Sequence, residues 1–91
     1  MAIEFDPKKD ALNVAKHSVS LARAVDFDPV LVKFDRRFDY GEQRVIAYGF
    51  IDGAAYCLCY VERSGTVRAI SLRRARLKEL SRNVQENKNN H

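Results

Sequence analysis

Arg44-Val45-Ile46-Ala47-Tyr48-Gly49-Phe50-Ile51-Asp52-Gly53-Ala54-Ala55-Tyr56-Cys57-Leu58-Cys59-Tyr60-Val61-Glu62 is the stretch that decides the fold. Two apolar runs flank Asp52-Gly53, a dipeptide suited to a two-residue hairpin turn because both positions take positive φ. The reading is one strand over 44–51 and its return over 54–62. Arg63-Ser64-Gly65 makes the next turn, and Thr66 to Leu72 is a third strand, so the three form an antiparallel meander. Working outward, Val30 to Phe34 is a candidate strand and the polar run Asp35 to Gly41 a loop. Ile3-Glu4-Phe5 reads as a short opening strand. Asp6-Pro7 then starts a helix over 7–17, Asp capping it and Pro fitting its first position. Ala11, Leu12 and Ala15 form that helix's apolar stripe, with Lys9, Asn13, Lys16 and His17 on another face. Ser20 caps a second short helix, closed by Asp28-Pro29. Leu77, Leu80 and Val84 mark the buried stripe of a C-terminal helix. The sum is an α+β domain of N-terminal helices, antiparallel meander and C-terminal helix. Its expected core is Phe5, Leu12, Leu21, Val25, Ile46, Tyr48, Phe50, Leu58, Ile70, Leu77 and Leu80. One domain is expected over residues 1–84, with a flexible tail over 85–91.

The chain has 91 residues, 46% of them apolar, and a net charge of +4. That suits one modest core and an acidic partner rather than a neutral one. No apolar run approaches the roughly 20 residues of a membrane span, and no secretory leader is read at the N-terminus, so a cytoplasmic location without membrane contact is expected. Cys57 and Cys59 are two apart on one strand and project from one face, which disfavours a disulfide between them. Two thiols without further ligands make a poor zinc site. Both read as small core residues in a reducing compartment.

The positive charge is concentrated. Residues 63–82 hold Arg63, Arg68, Arg73, Arg74, Arg76, Lys78 and Arg82 against Glu79, a net +6 that leaves −2 for the rest of the chain. The arginines crowd the junction where the last strand is expected to run into the C-terminal helix. Guanidinium groups there suit phosphate, which they pair in a bidentate way. A solvated helix face explains the same composition.

Phe5-Asp6-Pro7-Lys8 with Asn13 and Lys16-His17 resembles the N-terminal signature of the BrnT family. So do Glu42-Gln43-Arg44, Tyr60-Val61-Glu62-Arg63 and Ile70-Ser71-Leu72-Arg73-Arg74-Ala75, in the family's order. The family pattern has Gly where this chain has Ser18. The resemblance implies a RelE/ParE-like fold and a ribonuclease toxin of a type II toxin–antitoxin pair that inhibits translation. It also implies a BrnA-like ribbon-helix-helix antitoxin, expected as a 2:2 heterotetramer, with operator DNA reached through the antitoxin alone. A toxin that binds its target without chemistry, as ParE-like proteins do, and a nucleic-acid-binding module are the competing readings.

RNA carries its own nucleophile, the 2′-hydroxyl, so cleavage needs a base, an acid and positive charge at the phosphate rather than a metal. His17 is a candidate acid or base, since imidazole titrates near neutrality. Glu42 is the other candidate. Arg63, Arg73 and Arg74 are candidates for stabilising the transition state. Lys16, Arg68 and Arg76 are candidates for binding phosphate, and Tyr60 for stacking on a base. Plainer roles stand beside these: His17 as a favourable charge at a helix end, Glu42 as a surface partner of Arg44, Arg63 as a solubilising residue and Tyr60 as packing. On a helix Arg73 and Arg74 would point about 100° apart. No cofactor, metal motif or phosphate loop is read.

Overall fold

The computed structural model describes residues 2–36 and 41–89. The elements run β1 (Ala2–Glu4), α1 (Pro7–His17), a 3-10 helix (Leu21–Asp26), β2 (Asp28–Asp35), β3 (Arg44–Ile51), β4 (Ala54–Arg63), β5 (Thr66–Arg74) and α2 (Leu77–Asn89). The five strands form one sheet in the order β1-β5-β4-β3-β2. The expected meander is β3–β5, extended antiparallel by β2. β1 pairs parallel with β5, which makes the sheet mixed. Both hairpin turns have the two positive-φ residues their sequences call for, Asp52-Gly53 and Ser64-Gly65. Residues 37–40 of the expected loop, and His91, lie outside the described residues. No helix among the described residues is long and apolar enough to cross a membrane.

The start of α1 is as its sequence indicates. Asp6 Oδ1 accepts a hydrogen bond from the Lys8 N–H at 2.9 Å, and Pro7 opens the helix. Ser18 ends it in the left-handed region at φ 60°, where its N–H donates to the Val14 carbonyl. That conformation favours glycine, and Ser18 adopts it here. The apolar stripe, however, does not dock the helix: Leu12 is 70% exposed, and Asn13 is buried. The Asn13 amide donates to the Leu72 and Val19 carbonyls at 2.8 and 2.9 Å and accepts from the Leu72 N–H at 3.1 Å. β1 stops pairing at Arg68, so β5 has an open edge beyond it. The Asn13 side chain supplies there the donor and acceptor that a neighbouring strand would supply. Asp10 adds bonds from the Ser20 hydroxyl and the Leu21 N–H.

Two clusters cover the two faces of the sheet. On the α1 face, Leu21, Ala24, Ile51, Leu58, Ala69 and Leu72 pack with Phe5 and Phe27. On the opposite face, Leu80 and Val84 of α2 pack with Leu31, Tyr48, Cys57 and Phe50. Covering both faces needs apolar residues at both strand parities, which is why β3 and β4 read as near-continuous apolar runs. Val25 and Leu77 join Leu12 outside the core, at 70% and 65% exposure. α2 begins at Leu77 and turns in through Leu80 and Val84, while its backbone stays helical to Asn89.

β2 lies tightly against β3. A Cβ on Gly49 would sit 2.1 Å from the Asp28 carbonyl oxygen and 2.8 Å from the Pro29 Cα. Both obstacles are backbone, beside a bulge at Val30. Gly49→Ala is therefore expected to push the edge strand outward and lower stability by about 2 kcal/mol, measured by chemical denaturation.

Candidate functional site

The strand register builds the site. Partners in adjacent strands share a face, so the α2 side of the sheet is a series of rows. The outermost is Asp35–Arg44–Val61–Arg68–Glu4, continuous across all five strands. The next is Lys33–Ile46–Cys59–Ser71, and the third is Leu31–Tyr48–Cys57–Arg73. α2 packs over the third row, and its Asn83 accepts a hydrogen bond from Lys33 at the β2 end of the second. A groove of about 390 Å³ results, with Ile46, Cys59 and Ser71 along its floor, Arg44 on one wall and Arg73 on the other. The two arginine levels lie about 13 Å apart along the strands, so both long side chains can lean over the middle row.

Arg73 reaches this face because of a bulge at Ile70. Cys59 pairs with Ser71 and Tyr60 with Ala69, leaving Ile70 unpaired. Were β5 to alternate without a bulge, Arg73 would share the face of Ala69. Arg73 and Arg74 both belong to β5 rather than to a helix, and so point to opposite faces. The strand extends that far because Cys57 and Tyr56 of β4 are there to pair with them.

Glu79, in the first turn of α2, fixes the Arg73 guanidinium with bonds of 2.6 and 3.2 Å. Its Oε1 also accepts from the Tyr48 hydroxyl at 3.1 Å. The bond to Glu79 pushes the Arg73 pKa further up, and the same bond holds the Glu79 carboxyl below its ordinary value. Burial pushes Tyr48 up to about 12 and raises the Cys57 thiol, so both keep their protons at neutral pH. A carboxyl depressed in the folded state stabilises the fold above the unfolded value, about 4.3, and stops doing so as pH falls through the depressed one. Glu79→Gln is accordingly expected to lower the melting temperature at pH 7 and to lower it much less at pH 3, in paired thermal melts.

The other sequence candidates separate. Arg63 is bound to Glu42 through bonds of 2.6 and 2.9 Å, and Arg68 to Glu4 at 3.2 Å. Glu42 thus pairs with Arg63, not with Arg44. Arg74 lies on the α1 face, 5.5 Å from the centre of the Tyr56 ring. Tyr60 is on that face too, lining an apolar cavity of about 370 Å³ with Phe27 and Val32. Burial raises the Tyr60 pKa. Arg76 is exposed in the link between β5 and α2.

His17 and Lys16 lie across the edge of β5. They line a cavity of about 230 Å³ with Lys9, Leu12, Ile70 and Ser71. Ile70 and Ser71 also line the groove, so the two spaces meet at the bulge.

Sequence reasoning missed Arg44, Ser71 and Glu79 as parts of the site. Arg44 was legible in principle, since it has the parity of Ile46 and Tyr48. Nothing local marks Glu79, which meets Arg73 through the turn between β5 and α2. Among the described residues no three His, Cys, Asp or Glu side chains come together as a metal cage.

The family described as "Ribonuclease toxin, BrnT, of type II toxin-antitoxin system" matches residues 5–79. No curated protein matches the chain.

Proposed function

The chain belongs to the BrnT family of ribonuclease toxins of type II toxin–antitoxin systems, and from that premise we propose that the groove between Arg44 and Arg73 cleaves RNA without a metal ion. The scissile phosphate lies over Cys59 and Ser71. The 2′-oxygen attacks phosphorus, the bond to the 5′-oxygen breaks, and a 2′,3′-cyclic phosphate and a 5′-hydroxyl end form. His17 takes the 2′-hydroxyl proton, and water returns one to the leaving oxygen. Arg73, pre-set by Glu79, and Arg44 stabilise the added charge on phosphorus. One observation carries this reading: the groove and the His17 cavity meet at Ile70 and Ser71. His17 is favoured over Glu42 as base because the Glu42 carboxylate is engaged by Arg63.

The reading extends to the fold and the partners. The RelE/ParE-like grouping accords with helices on both faces of an antiparallel meander. Residues 1–84 form the toxin domain and 85–91 a tail, although α2 carries helical backbone into it. Cleavage of RNA inhibits translation in the cytoplasm, and a BrnA-like ribbon-helix-helix antitoxin silences the toxin as a 2:2 complex. Facing a basic surface, that antitoxin presents acidic and apolar residues.

The test is cleavage of a labelled RNA by the purified protein with excess chelator present. Products ending in cyclic phosphate, lost in His17→Ala, are expected. Growth arrest on expression without RNA cleavage would instead establish a toxin that acts by binding.

A further inference from the structure

We infer that the cavity between α1 and the edge of β5 is a second nucleotide subsite, which binds the RNA nucleotide one step beyond the two that flank the cleaved phosphate, through Lys9, Lys16 and Leu12. The inference rests on the groove reading above and adds a route for the RNA, over the β5 bulge and onto α1.

Lys9, Leu12 and Lys16 recur at steps of three and four, so they share one face of α1. That face borders the cavity of about 230 Å³. The two ammonium groups bracket it from about 10 Å apart along the helix axis. Their charge is available. Among the described residues neither lysine is in an ion pair, whereas Arg63, Arg68 and Arg73 are each held by a glutamate. Between the lysines stands Leu12, 70% exposed on a wall that also includes Ile70. An exposed large apolar side chain flanked by two unpaired cations fits one ligand chemistry well: a flat base with an anionic phosphate on either side. A protein strand is a poorer occupant. The Leu72 N–H and carbonyl at this edge are already taken by Asn13, so an added strand would find them unavailable.

The route also accounts for the shared walls. Ile70 and Ser71 face the groove on one side and the α1 cavity on the other. A strand of RNA leaving the groove at Ser71 enters the cavity directly, with His17 beside the crossing.

The experiment measures binding of 2′-O-methyl oligoribonucleotides, which lack the attacking hydroxyl, by fluorescence anisotropy. A dinucleotide and a hexanucleotide are titrated into wild type, Lys9→Ala, Leu12→Ser, Arg73→Ala and the control Lys8→Ala. All four replaced side chains are exposed or half-exposed, and thermal melts confirm folding. Lys9→Ala and Leu12→Ser are each expected to weaken the hexanucleotide about tenfold and leave the dinucleotide unchanged. Lys9→Ala should also reduce the salt slope of hexanucleotide binding by about 0.7. Arg73→Ala should weaken both ligands, and Lys8→Ala neither. Unchanged hexanucleotide affinity in Lys9→Ala and Leu12→Ser, with Arg73→Ala weakened, overturns the subsite and leaves the groove reading standing. An equal loss in Lys8→Ala and Lys9→Ala also overturns it, since overall charge then suffices. If Arg73→Ala binds both ligands as wild type does, the groove reading fails by itself.

Discussion

Arg73→Ala is expected to slow single-turnover RNA cleavage by about 100-fold or more, the loss typical of removing one preorganised donor from a developing negative charge. The argument starts from placement. Arg73 stands on the wall of the groove, opposite Arg44, and Glu79 holds its guanidinium through both terminal nitrogens. A donor already fixed loses little freedom when the phosphate arrives. Arg73→Lys should recover part of the rate, because an ammonium keeps the charge but lacks the planar fork. The stability cost of Arg73→Ala should be small, since the ion pair is about a third exposed and solvent screens it. A thermal melt separates the two effects. A variant that melts like the wild type and cleaves like it would make Arg73 an anchor for α2 and nothing more. Arg44→Ala should slow cleavage as well, and its loss would identify the arginine that sequence reasoning overlooked.

Asn13→Ala should be the most destabilising of the substitutions considered, by about 3 kcal/mol in chemical denaturation. Three hydrogen bonds converge on this buried amide. Removing it strands the Leu72 N–H, the Leu72 carbonyl and the Val19 carbonyl, and each buried polar group left unpaired costs about 1 kcal/mol or more. Asn13→Leu distinguishes bonding from packing, because it keeps the volume and removes the bonds. If Asn13→Leu proves as stable as wild type, the amide is replaceable by apolar contact and the strand-like role assigned to it is wrong. Loss of α1 docking should also widen the cavity beneath it, so both variants should weaken RNA binding before they unfold.

What the sequence by itself determined is local. Asp52-Gly53 and Ser64-Gly65 specify their turns because positive φ is a property of those residues and needs no distant partner. Asp6 and Pro7 specify the start of α1 for a similar reason. The apolar runs of β3 and β4 are of strand length and bounded by turn residues, which needs no distant partner to read. The N-terminal and strand signatures also pointed to the family, which matches over residues 5–79.

The site was decided by pairings between distant segments. Whether Arg73 or Arg74 shares the face of Arg68 depends on one unpaired residue, Ile70, and a bulge exists only relative to the strand beside it. Counting by twos from Arg68 places Arg74, not Arg73, on its face. Likewise Asn13 looks like one more polar residue on the outer side of a helix. It becomes the helix's buried anchor because β1 ends early and leaves the backbone of β5 without a partner at Leu72. Leu12 was read as core and is exposed because that hydrogen-bonded geometry turns the helix away from its apolar stripe. Local conformation follows from each residue's own torsional and bonding preferences. The faces, anchors and cavities follow from register, which is set only when all five strands are in place.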